Sequence, residues 1–335
     1  MRIGLNPHKD KLQKESYYIH QVVIPVYIPC QEGYFKDSLR IFQLCLDSLM
    51  NTVHSKTYIT VVNNGSCKLV IEYLDKIYRD DQIQELIHTE NIGKLNAVLK
   101  GLAGNNIELV TISDADVLFL PDWQSQTVKV FNKIPSAGVV GIVPQFKMYE
   151  SNCGTIIFDN LFNKKLQCIP VKNPNGLIRF YESIGWDTNY NRDYLKYSLG
   201  YKVDNVTVYV GSGHFVATYK KDMFQEMTSF IGYKMGGSSE EYLDKAPLIK
   251  GYWRVTTHNN YAYHMGNTLE DWMKFDLSIG KEENKIKHIF KINKRSNSIV
   301  FYVKNRLFVK FISIKWMVRL FLKWKNLPKG MIEKY

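Results

Sequence analysis

The chain has 335 residues, of which 45% are hydrophobic and 23% are charged, and this balance excludes a disordered protein. The net charge is +12, but it is unevenly placed. Residues 281–335 hold 15 of the 44 Lys and Arg and 3 of the 32 Asp and Glu, which leaves 29 of each sign in residues 1–280. A neutral body with a basic end excludes a uniformly basic nucleic-acid-binding surface and indicates an anchor or arm.

The cysteines and the apolar runs indicate the compartment. There are five cysteines, an odd number, and no pair has the CxxC spacing of a cysteine metal site. The first 16 residues contain no apolar stretch, so no signal peptide is expected. No uncharged apolar run reaches the roughly 18 residues that a spanning helix needs. We therefore expect a cytoplasmic protein without a transmembrane helix.

Strands and helices alternate along the first third of the chain. The apolar patterns predict strands at 20–28, 57–62 and 107–113 and helices at 38–53, 68–79 and 94–103. This alternation predicts an α/β fold with a mainly parallel sheet flanked by helices. Polar residues follow the second and third strands, and ligands bind beyond the carboxyl ends of such strands. The predicted cleft therefore lies at these strand ends.

The remaining two thirds are less regular. Further strands are predicted at 138–143, 206–218 and 251–264, a helix at 219–230, and a loop at 236–250 that leads into another helix. Residues 145–200 are rich in Tyr and Asn and are interpreted as a loop-rich excursion over the cleft. We expect this excursion to form the acceptor-binding region.

The acidic pair Asp114 and Asp116 directly follows the third predicted strand. Two carboxylates at this spacing can converge on one divalent cation, since Mg²⁺ is often held by one or two carboxylates and substrate phosphates. Such a cation would neutralise a leaving pyrophosphate. The alternative is a turn in which both aspartates only accept backbone hydrogen bonds.

The order of the motifs resembles the GT-A fold glycosyltransferases and, within them, inverting family 2, over about residues 20–267. The motifs that carry the resemblance are Pro25-Val26-Tyr27, Asn63-Asn64-Gly65-Ser66, Asn91-Ile92-Gly93-Lys94, Asp114-Ala115-Asp116, Glu240-Glu241 and His264. The chain departs from the family pattern at Asn63, where an aspartate is usual. An amide both donates and accepts hydrogen bonds, so the departure leaves base contact possible but the nucleotide preference open.

The resemblance implies a role for each matched position. Pro25 and Tyr27 would line the base pocket, Asn63 would contact the nucleoside, Asp114 would touch the ribose or the metal, and Asp116 and His264 would ligate Mn²⁺ or Mg²⁺. Glu240 or Glu241 would take the proton of the acceptor hydroxyl in an inverting displacement.

Each matched polar residue also has a structural interpretation. The Asn63-Asn64-Gly65 run is a turn by composition. Asn91 is a candidate helix cap as well as a candidate nucleotide contact, and Lys94 is either a phosphate ligand or a solvated lysine in the first turn of a helix. Glu240 and Glu241 would be favoured at a helix start in any case, and His264 is either a ligand or a core histidine.

Three further residues are candidate acceptor contacts. Trp186 has a flat face that stacks on a sugar ring, and Asp187 offers a carboxylate to sugar hydroxyls; the alternative is an aromatic anchor that packs a loop on the core. His214 lies in the glycine-flanked segment VGSGHFVAT, which indicates tight packing near the cleft. We expect all three on the acceptor side.

The basic C-terminal end carries long apolar side chains between its lysines and arginines. Over residues 299–325 the basic positions cluster loosely on one side of a single helix, and two short helices with a bend would separate the faces better. Trp316 and Trp324 among basic residues favour an interfacial helix on anionic lipid. The alternative is a helix pair that packs on the catalytic domain. As an anchor, residues 296–335 would be removable without loss of turnover.

Together these patterns predict one catalytic domain with an additional segment at each end of the chain. Residues 1–19 are an N-terminal extension, 20–280 a GT-A catalytic domain, and 281–335 a basic amphipathic helical tail. Within the domain, 20–118 would bind the nucleotide sugar and 119–280 the acceptor.

The predicted protein is a metal-dependent hexosyltransferase of polysaccharide biosynthesis. It would move a sugar from a nucleotide sugar, with UDP expected, to a glycan or lipid-linked acceptor at the inner face of the cell membrane. The competing hypotheses are a nucleotidyltransferase, against which the missing glycine-rich phosphate loop counts, and a catalytically inactive transferase-fold scaffold bound to membrane. No nucleic-acid partner is expected.

Overall fold

The computed structural model of the protein describes residues 15–224, 230–234, 241–274 and 297–335, together with residues 4, 6 and 8–12 near the N-terminus. Of the predicted site residues, Glu240 lies outside the described residues, as do residues 281–296 of the predicted tail.

The strands form a mixed ten-stranded sheet and a small two-stranded sheet. The large sheet has the order β3-β2-β1-β4-β10-β6-β11-β9-β8-β7, and β12 pairs with β5 in the small one. The strands are β1 His20–Val26, β2 Thr57–Asn64, β3 Glu85–Thr89, β4 Leu109–Ser113, β5 Val117–Phe119, β6 Ala137–Gly141, β7 Leu166–Pro170, β8 Tyr197–Val203, β9 Val206–Val210, β10 Val216–Lys220, β11 Trp253–Thr257 and β12 Ala262–His264. The first four strands run parallel, whereas β10 is antiparallel to both β4 and β6.

Helices cover both faces of the sheet and the end of the chain. They are α1 Ser38–Thr52, α2 Lys68–Arg79, α3 Lys94–Leu102, α4 Trp123–Lys133, α5 Gly154–Asp159, α6 Pro174–Ser183, α7 Glu241–Ile249, α8 Ser298–Tyr302, α9 Phe308–Ile312, α10 Lys315–Trp324 and α11 Lys329–Ile332. A π-helical turn, Val303–Leu307, joins α8 to α9. The mixed α/β sheet flanked by helices, with C-terminal helices beyond it, confirms the predicted fold class.

The alternation of β1 explains why both faces of the parallel half are covered. Val22, Ile24 and Val26 are buried in the core that contains the apolar side of α1, while Val23 points to the opposite core with α3. A strand that is buried on both faces is expected to contain a continuous apolar run, and residues 22–26 of β1, VVIPV, form one. Gly101 lets α3 approach the sheet, because a Cβ there would lie 2.6 Å from the Val23 side chain.

The parallel half follows the predicted elements closely, with α2 ending where expected and β2 extending two residues further. The central part differs. Residues 145–200, predicted to be a loop-rich excursion, contain α5, β7 and α6, and the single strand predicted at 206–218 is two strands broken at Gly211–Phe215. The helix predicted at 219–230 does not begin there, because residues 219–220 end β10 and Lys221–Phe224 is a 3-10 turn; residues 225–229 lie outside the described residues.

The described part of the C-terminal tail packs on the body of the protein. Phe321, Leu322 and Leu327 are buried in the core that α4, α5 and β6 to β9 share. The side chain of Lys325 is buried and its Nζ donates to the carbonyl oxygens of Leu161, at 2.7 Å, and Asn163, at 3.2 Å. The segment that contains α10 and Leu327 therefore forms part of the domain core. Removal of residues 296–335 would expose this core, so we no longer expect turnover to survive it.

Two leucines on α10 allow this packing to be tested. Leu322 is fully buried, so Leu322→Ala is expected to lower the free energy of unfolding by about 2–5 kcal/mol. Leu320 lies two residues earlier and is 52% exposed, so Leu320→Ala should change it by less than about 0.5 kcal/mol. Urea unfolding of both variants checks this. Equal, small effects would show that the tail does not pack on the domain.

Candidate functional site

The first cavity lies beyond the carboxyl ends of β1, β2 and β4. It has a volume of about 510 Å³. Its wall consists of Pro25, Val26, Tyr27, Ile28, Tyr34, Phe35, Ser38, Ile41, Asn64, Asn91, Lys94, Asp114, Ala115, Asp116, Lys234, Gly266 and Asn267. Parallel strands bring their carboxyl ends to one edge of a sheet, which is why residues distant in sequence meet here.

Aromatic side chains form one end of the first cavity. Tyr27 follows β1 and is 40% exposed, and its ring meets Phe35 edge to face with centroids 6.1 Å apart. Tyr34 packs edge to face on the other side of Phe35. An arrangement of flat, partly exposed rings suits a planar ligand.

The polar end of the first cavity is held by an ion pair. Lys94 begins α3, and its Nζ lies 2.6 Å from Oδ1 of Asp114, with both side chains mostly buried. The backbone N–H of Asp114 donates to the carbonyl of Phe215 at 2.7 Å, which continues the pairing of β4 with β10. Lys94 thus lines the first cavity, and its ammonium group pairs with the acidic motif.

Asp116 and His264 form the second polar contact of the site. Oδ2 of Asp116 lies 3.3 Å from Nε2 of His264, whose Nδ1 is 3.0 Å from Oγ of Ser183. The small sheet fixes this contact, because β12 pairs His264 with Val117 and the N–H of Met265 donates to the carbonyl of Asp116 at 2.8 Å.

The two oxygens of Asp116 differ in their surroundings. Oδ1 is inaccessible to solvent and has no hydrogen-bond partner among the described residues. Burial raises the pKa of the Asp116 carboxyl, and the neighbouring His264 opposes that shift. A buried carboxylate oxygen without a donor is unfavourable unless a ligand satisfies it.

The Asp116 and His264 donors fit a divalent cation. Asp116 has one carboxylate oxygen without a partner and a second oxygen beside an imidazole nitrogen, and Mn²⁺ accepts both ligand types. No group of three His, Cys, Asp or Glu side chains with metal-binding geometry occurs in the described ranges. The two protein donors would therefore need phosphate oxygens or water to complete the shell.

The second cavity opens on the other side of His264. It has a volume of about 420 Å³ and is lined by Gln145, Phe146, Lys147, Met148, Ser151, Phe180, Ile184, Ser212, Gly213, His214, Phe215, Asp244, Arg254 and His264. Because Asp116 lines the first cavity and His264 lines the second, the two cavities meet at this contact.

A buried ion pair shapes the wall of the second cavity. Arg254 on β11 is almost fully buried and contacts both Oδ1 of Asp244 and the carbonyl of Ser212 through Nη2. The second oxygen of Asp244 lies 3.8 Å from Nδ1 of His214. This geometry holds Asp244, on α7, at the cavity surface.

Several predicted residues lie at the cavities and others do not. Pro25, Tyr27, Asn91, Lys94, Asp114 and Asp116 line the first cavity, and His214 and His264 line the second. Asn63 does not line either cavity: its Oδ1 accepts from the N–H of Ser66, and its Nδ2 lies 2.9 Å from Nδ1 of His88. The side chain beside it, Asn64, lines the first cavity instead. Asn91 accepts from the N–H of Gly93, which is itself the residue before α3.

The remaining predicted contacts lie at the surface. Trp186 is 56% exposed with an edge contact to Tyr181, and Asp187 accepts from the N–H of Asn189; neither lines a cavity described above. Glu241 begins α7, is exposed and pairs with Lys245.

Sequence reasoning missed residues that only the fold brings to the site. Lys234 reaches the first cavity because the carbonyl of Lys234 accepts from the N–H of Lys94 at 3.0 Å. Asn96 on α3 holds the same segment through bonds of its amide to both backbone groups of Ile231, at 2.8 and 2.9 Å. Asn96 belongs to the motif NIGKLNA and could be singled out from the sequence. Its partner Ile231, 135 residues away, could not be predicted from that motif.

Known proteins resemble this chain over the region that carries the first cavity. Residues 22–223 match the sequence profile described as Glycosyl transferase family 2. The chain belongs to glycosyl transferase family 2. This membership places it among the glycosyltransferases and confirms both the predicted family and the predicted class of enzyme.

Individual relatives are more distant. An uncharacterised glycosyltransferase of Haemophilus influenzae is 26% identical over 112 residues, which cover 33% of this chain and 34% of that protein. The mannosyltransferase PcManGT from Pyrobaculum calidifontis, in complex with GDP-Man and Mn²⁺, is 18% identical over 73% of this chain and 56% of its own, with a TM-score of 0.41. TarS 1-349 from S. aureus, in complex with UDP-GlcNAc, is 11% identical over 76% and 60%, with a TM-score of 0.45. Each match spans less than two thirds of the other protein, and none bears on the substrate of this chain.

No helix in the described ranges is long and apolar enough to cross a membrane.

Gly93 offers a test of the wall that Lys234 completes. Its φ is +89°, and a Cβ there would lie 2.8 Å from Cα of Lys234, so Gly93→Ala would displace the segment 230–234. We expect a backbone penalty of about 1–3 kcal/mol and weaker binding of a nucleoside diphosphate such as UDP, measured by calorimetry.

Gly104→Ala is the matched control for this variant. Gly104 also has a positive φ, +81°, but a Cβ there meets nothing within 4 Å. The control should lose stability without losing nucleotide affinity. If the two alanine variants bind the nucleotide equally well, the contact between Gly93 and Lys234 does not shape the cavity.

Proposed function

We propose that the protein transfers a sugar from a nucleotide sugar, with UDP as the expected nucleotide, to a glycan or lipid-linked acceptor, with a divalent cation at Asp116 and His264. The observation that carries this proposal is the meeting of two cavities at the 3.3 Å contact between Asp116 and His264. A transferase needs two ligands whose reacting atoms meet at one point. The family membership counts against a nucleotidyltransferase, and the alternative that is left is an inactive scaffold with the same fold, which does not account for the second cavity.

The first cavity suits the nucleotide. Tyr27 and Phe35, with Pro25 beside them, offer the apolar surface on which a base would stack. Asp114 is placed to accept a ribose hydroxyl, and Asn64 takes the nucleoside contact first assigned to Asn63. Lys94 and Lys234 supply positive charge for the diphosphate. A lysine ammonium is a point charge, so it can pair with phosphate oxygens in more than one orientation. The choice of UDP rests on the family resemblance alone.

The cation belongs at the junction of the cavities. Asp116 and His264 would hold it, with Mn²⁺ favoured over Mg²⁺ because one donor is an imidazole. When bound, it would neutralise the charge that develops on the departing diphosphate. Asp116 would offer its carboxylate, whose Oδ2 lies 3.3 Å from the imidazole, and Ser183 orients the imidazole through the other ring nitrogen.

The second cavity suits the acceptor. In the proposed step the acceptor hydroxyl oxygen bonds to the anomeric carbon, the bond from that carbon to the phosphate oxygen breaks, and the diphosphate leaves with its electron pair. The hydroxyl proton passes to a carboxylate, for which Glu240 and Glu241 remain the candidates. Glu241 begins α7, three residues before Asp244 of the second cavity, and Glu240 directly precedes it in the sequence. A direct displacement of this kind would invert the anomeric centre.

Three residues were predicted to contact the acceptor, and one of them lines a cavity. His214 lines the second cavity and is proposed to contact the acceptor. Trp186 and Asp187 lie outside both cavities, so a role for them would require an acceptor that extends over the surface.

The basic tail extends the proposal to the location of the enzyme. We place the enzyme at the inner face of the cell membrane because residues 297–332 contain no Asp or Glu among their lysines and arginines. A lipid-linked acceptor would be presented at such a surface.

Asp116→Asn is the direct test of the cation site. The variant should abolish the Mn²⁺-dependent stabilisation of the protein by UDP in thermal-shift measurements and lower sugar transfer by about 10²–10³-fold. Asp204→Asn, at an exposed aspartate paired with Lys133, should leave both unchanged. Near-normal Mn²⁺ dependence in Asp116→Asn would remove the basis for the proposed mechanism.

His214→Ala tests the assignment of the second cavity. Transfer of labelled sugar to an acceptor in membrane extract should fall by about 10–100-fold, because a misplaced acceptor reacts slowly, while hydrolysis of the donor continues. Tyr78→Ala changes an exposed aromatic residue on α2, which lines neither cavity, and should affect neither rate. Parallel loss of transfer and hydrolysis in His214→Ala would place His214 on the donor side instead.

A further inference from the structure

The outer surface of α10 carries two parallel rows of side chains. Lys315, Arg319 and Lys323 recur at every fourth position and are exposed. Trp316, Leu320 and Trp324 recur at the same spacing one residue further on, with exposed fractions of 57%, 52% and 49%. Residues four apart lie one above the other on a helix, so a basic row runs beside an apolar row.

The helical segment before α10 repeats the pattern. Ile299, Val303, Leu307 and Phe311 form an apolar row that is exposed throughout, with fractions of 69%, 37%, 51% and 52%. Tyr302, Arg306 and Lys310 form the neighbouring row and are also exposed. We call these two rows and the two on α10 the outer face of the tail.

The inner face of the tail is already occupied. Gly154 of α5 approaches the π-helical turn so closely that a Cβ would lie 2.4 Å from the carbonyl oxygen of Lys304. Lys304 pairs with Asp159, and Phe308 meets Phe158 edge to face. Packing on the domain therefore explains the buried side chains of the tail and leaves the outer face, apart from an edge contact of Trp324 with Phe162, without a partner among the described residues.

We infer that the outer face of the tail docks the protein on an anionic lipid bilayer. Three observations fix this choice of partner. The exposed cations Arg306, Lys310, Lys315, Arg319, Lys323 and Lys329 face solvent, and residues 297–332 contain no acid to balance them. Tryptophans form both ends of the apolar row on α10, and tryptophan is enriched at membrane–water interfaces. The helices are short and lie along the surface of the domain, which suits insertion parallel to a membrane plane.

The tail lies beside the second cavity. α8 contacts α7, which carries Asp244, and the tail packs on α5, which begins three residues after Ser151. A bilayer on the outer face would hold this cavity close to the lipid headgroups. This docking would give the proposed function a surface on which the enzyme meets its acceptor. Only that consequence rests on the proposed function.

The test is flotation of the full-length protein with vesicles. Wild-type protein should float with vesicles of phosphatidylcholine and phosphatidylglycerol but not with phosphatidylcholine alone. Raising the salt from about 0.1 M to about 1 M should release much of it, because the Debye length falls from about 10 Å to about 3 Å.

Two variants separate the rows. Reversing the basic row with Lys315→Glu, Arg319→Glu and Lys323→Glu should weaken binding by at least about 100-fold, since each cation near the surface adds roughly a fivefold gain. Replacing the apolar row with Trp316→Ser and Leu320→Ser should weaken binding and make the remainder fully salt-sensitive. Both variants should keep the urea midpoint of the wild type, because the changed side chains are exposed.

The matched control reverses three basic residues on the opposite edge of the sheet. Lys68→Glu, Lys76→Glu and Arg79→Glu on α2 change the net charge by the same amount, and α2 packs near β3, whereas the tail packs near β7. This control should bind vesicles within about threefold of the wild type, since its cations lie far from the docked surface.

Three results would overturn the inference: wild-type protein that ignores anionic vesicles, an α10 charge variant that binds like the wild type, or a control that loses as much binding as that variant. Flotation needs neither donor nor acceptor. Loss of sugar transfer with intact flotation would therefore count against the proposed function and leave the docking surface standing.

Discussion

The burial of one oxygen of the Asp116 carboxylate is the constraint on which the site depends. The chain leaves β4 with one oxygen of Asp116 shielded from water and the other beside His264. An unsatisfied buried acceptor lowers stability by about 1–3 kcal/mol, so the surrounding structure must hold it in place. Backbone bonds do so on both sides, from Asp114 to Phe215 and from Met265 to Asp116. The antiparallel strand β10 and the small sheet thus maintain an arrangement that the carboxylate alone would not favour.

The parallel half of the fold was predictable because its signals are local. β1 and β2 are rich in β-branched residues, and α2 has strong helical periodicity, so strand and helix patterns do not compete. β3 and β5 were not predicted, since β3 is a half-buried edge strand and β5 has three residues. The stretch from 145 to 200 misled because tyrosines and asparagines, read as loop residues, here pack against one another and cap helices, as Asn173 does for α6.

The site was predictable where a motif directly follows a strand and not where tertiary contacts supply the residue. Asp114 and Asp116 follow β4, and their role needed only the position of that strand. Asn63 and Asn64 follow each other at the end of β2, where successive side chains point to opposite faces, so only the structure tells which of them faces the cavity. Lys234 and Arg254 reach the cavities through long-range contacts that no local pattern encodes.

The tail shows why an amphipathic pattern alone could not decide between packing and membrane binding. Its sequence has apolar residues on two sides of the helices, and a plot that treats 299–325 as one helix mixes them. The break at Ser313 and Ile314 between α9 and α10 separates the sides. Phe321 and Leu322 then face the core together with Lys325, whose charge is satisfied by carbonyls, while Trp316 and Leu320 remain outside. Core packing thus accounts for one apolar side only, and a second apolar side flanked by cations on the surface of a folded domain requires a partner of its own.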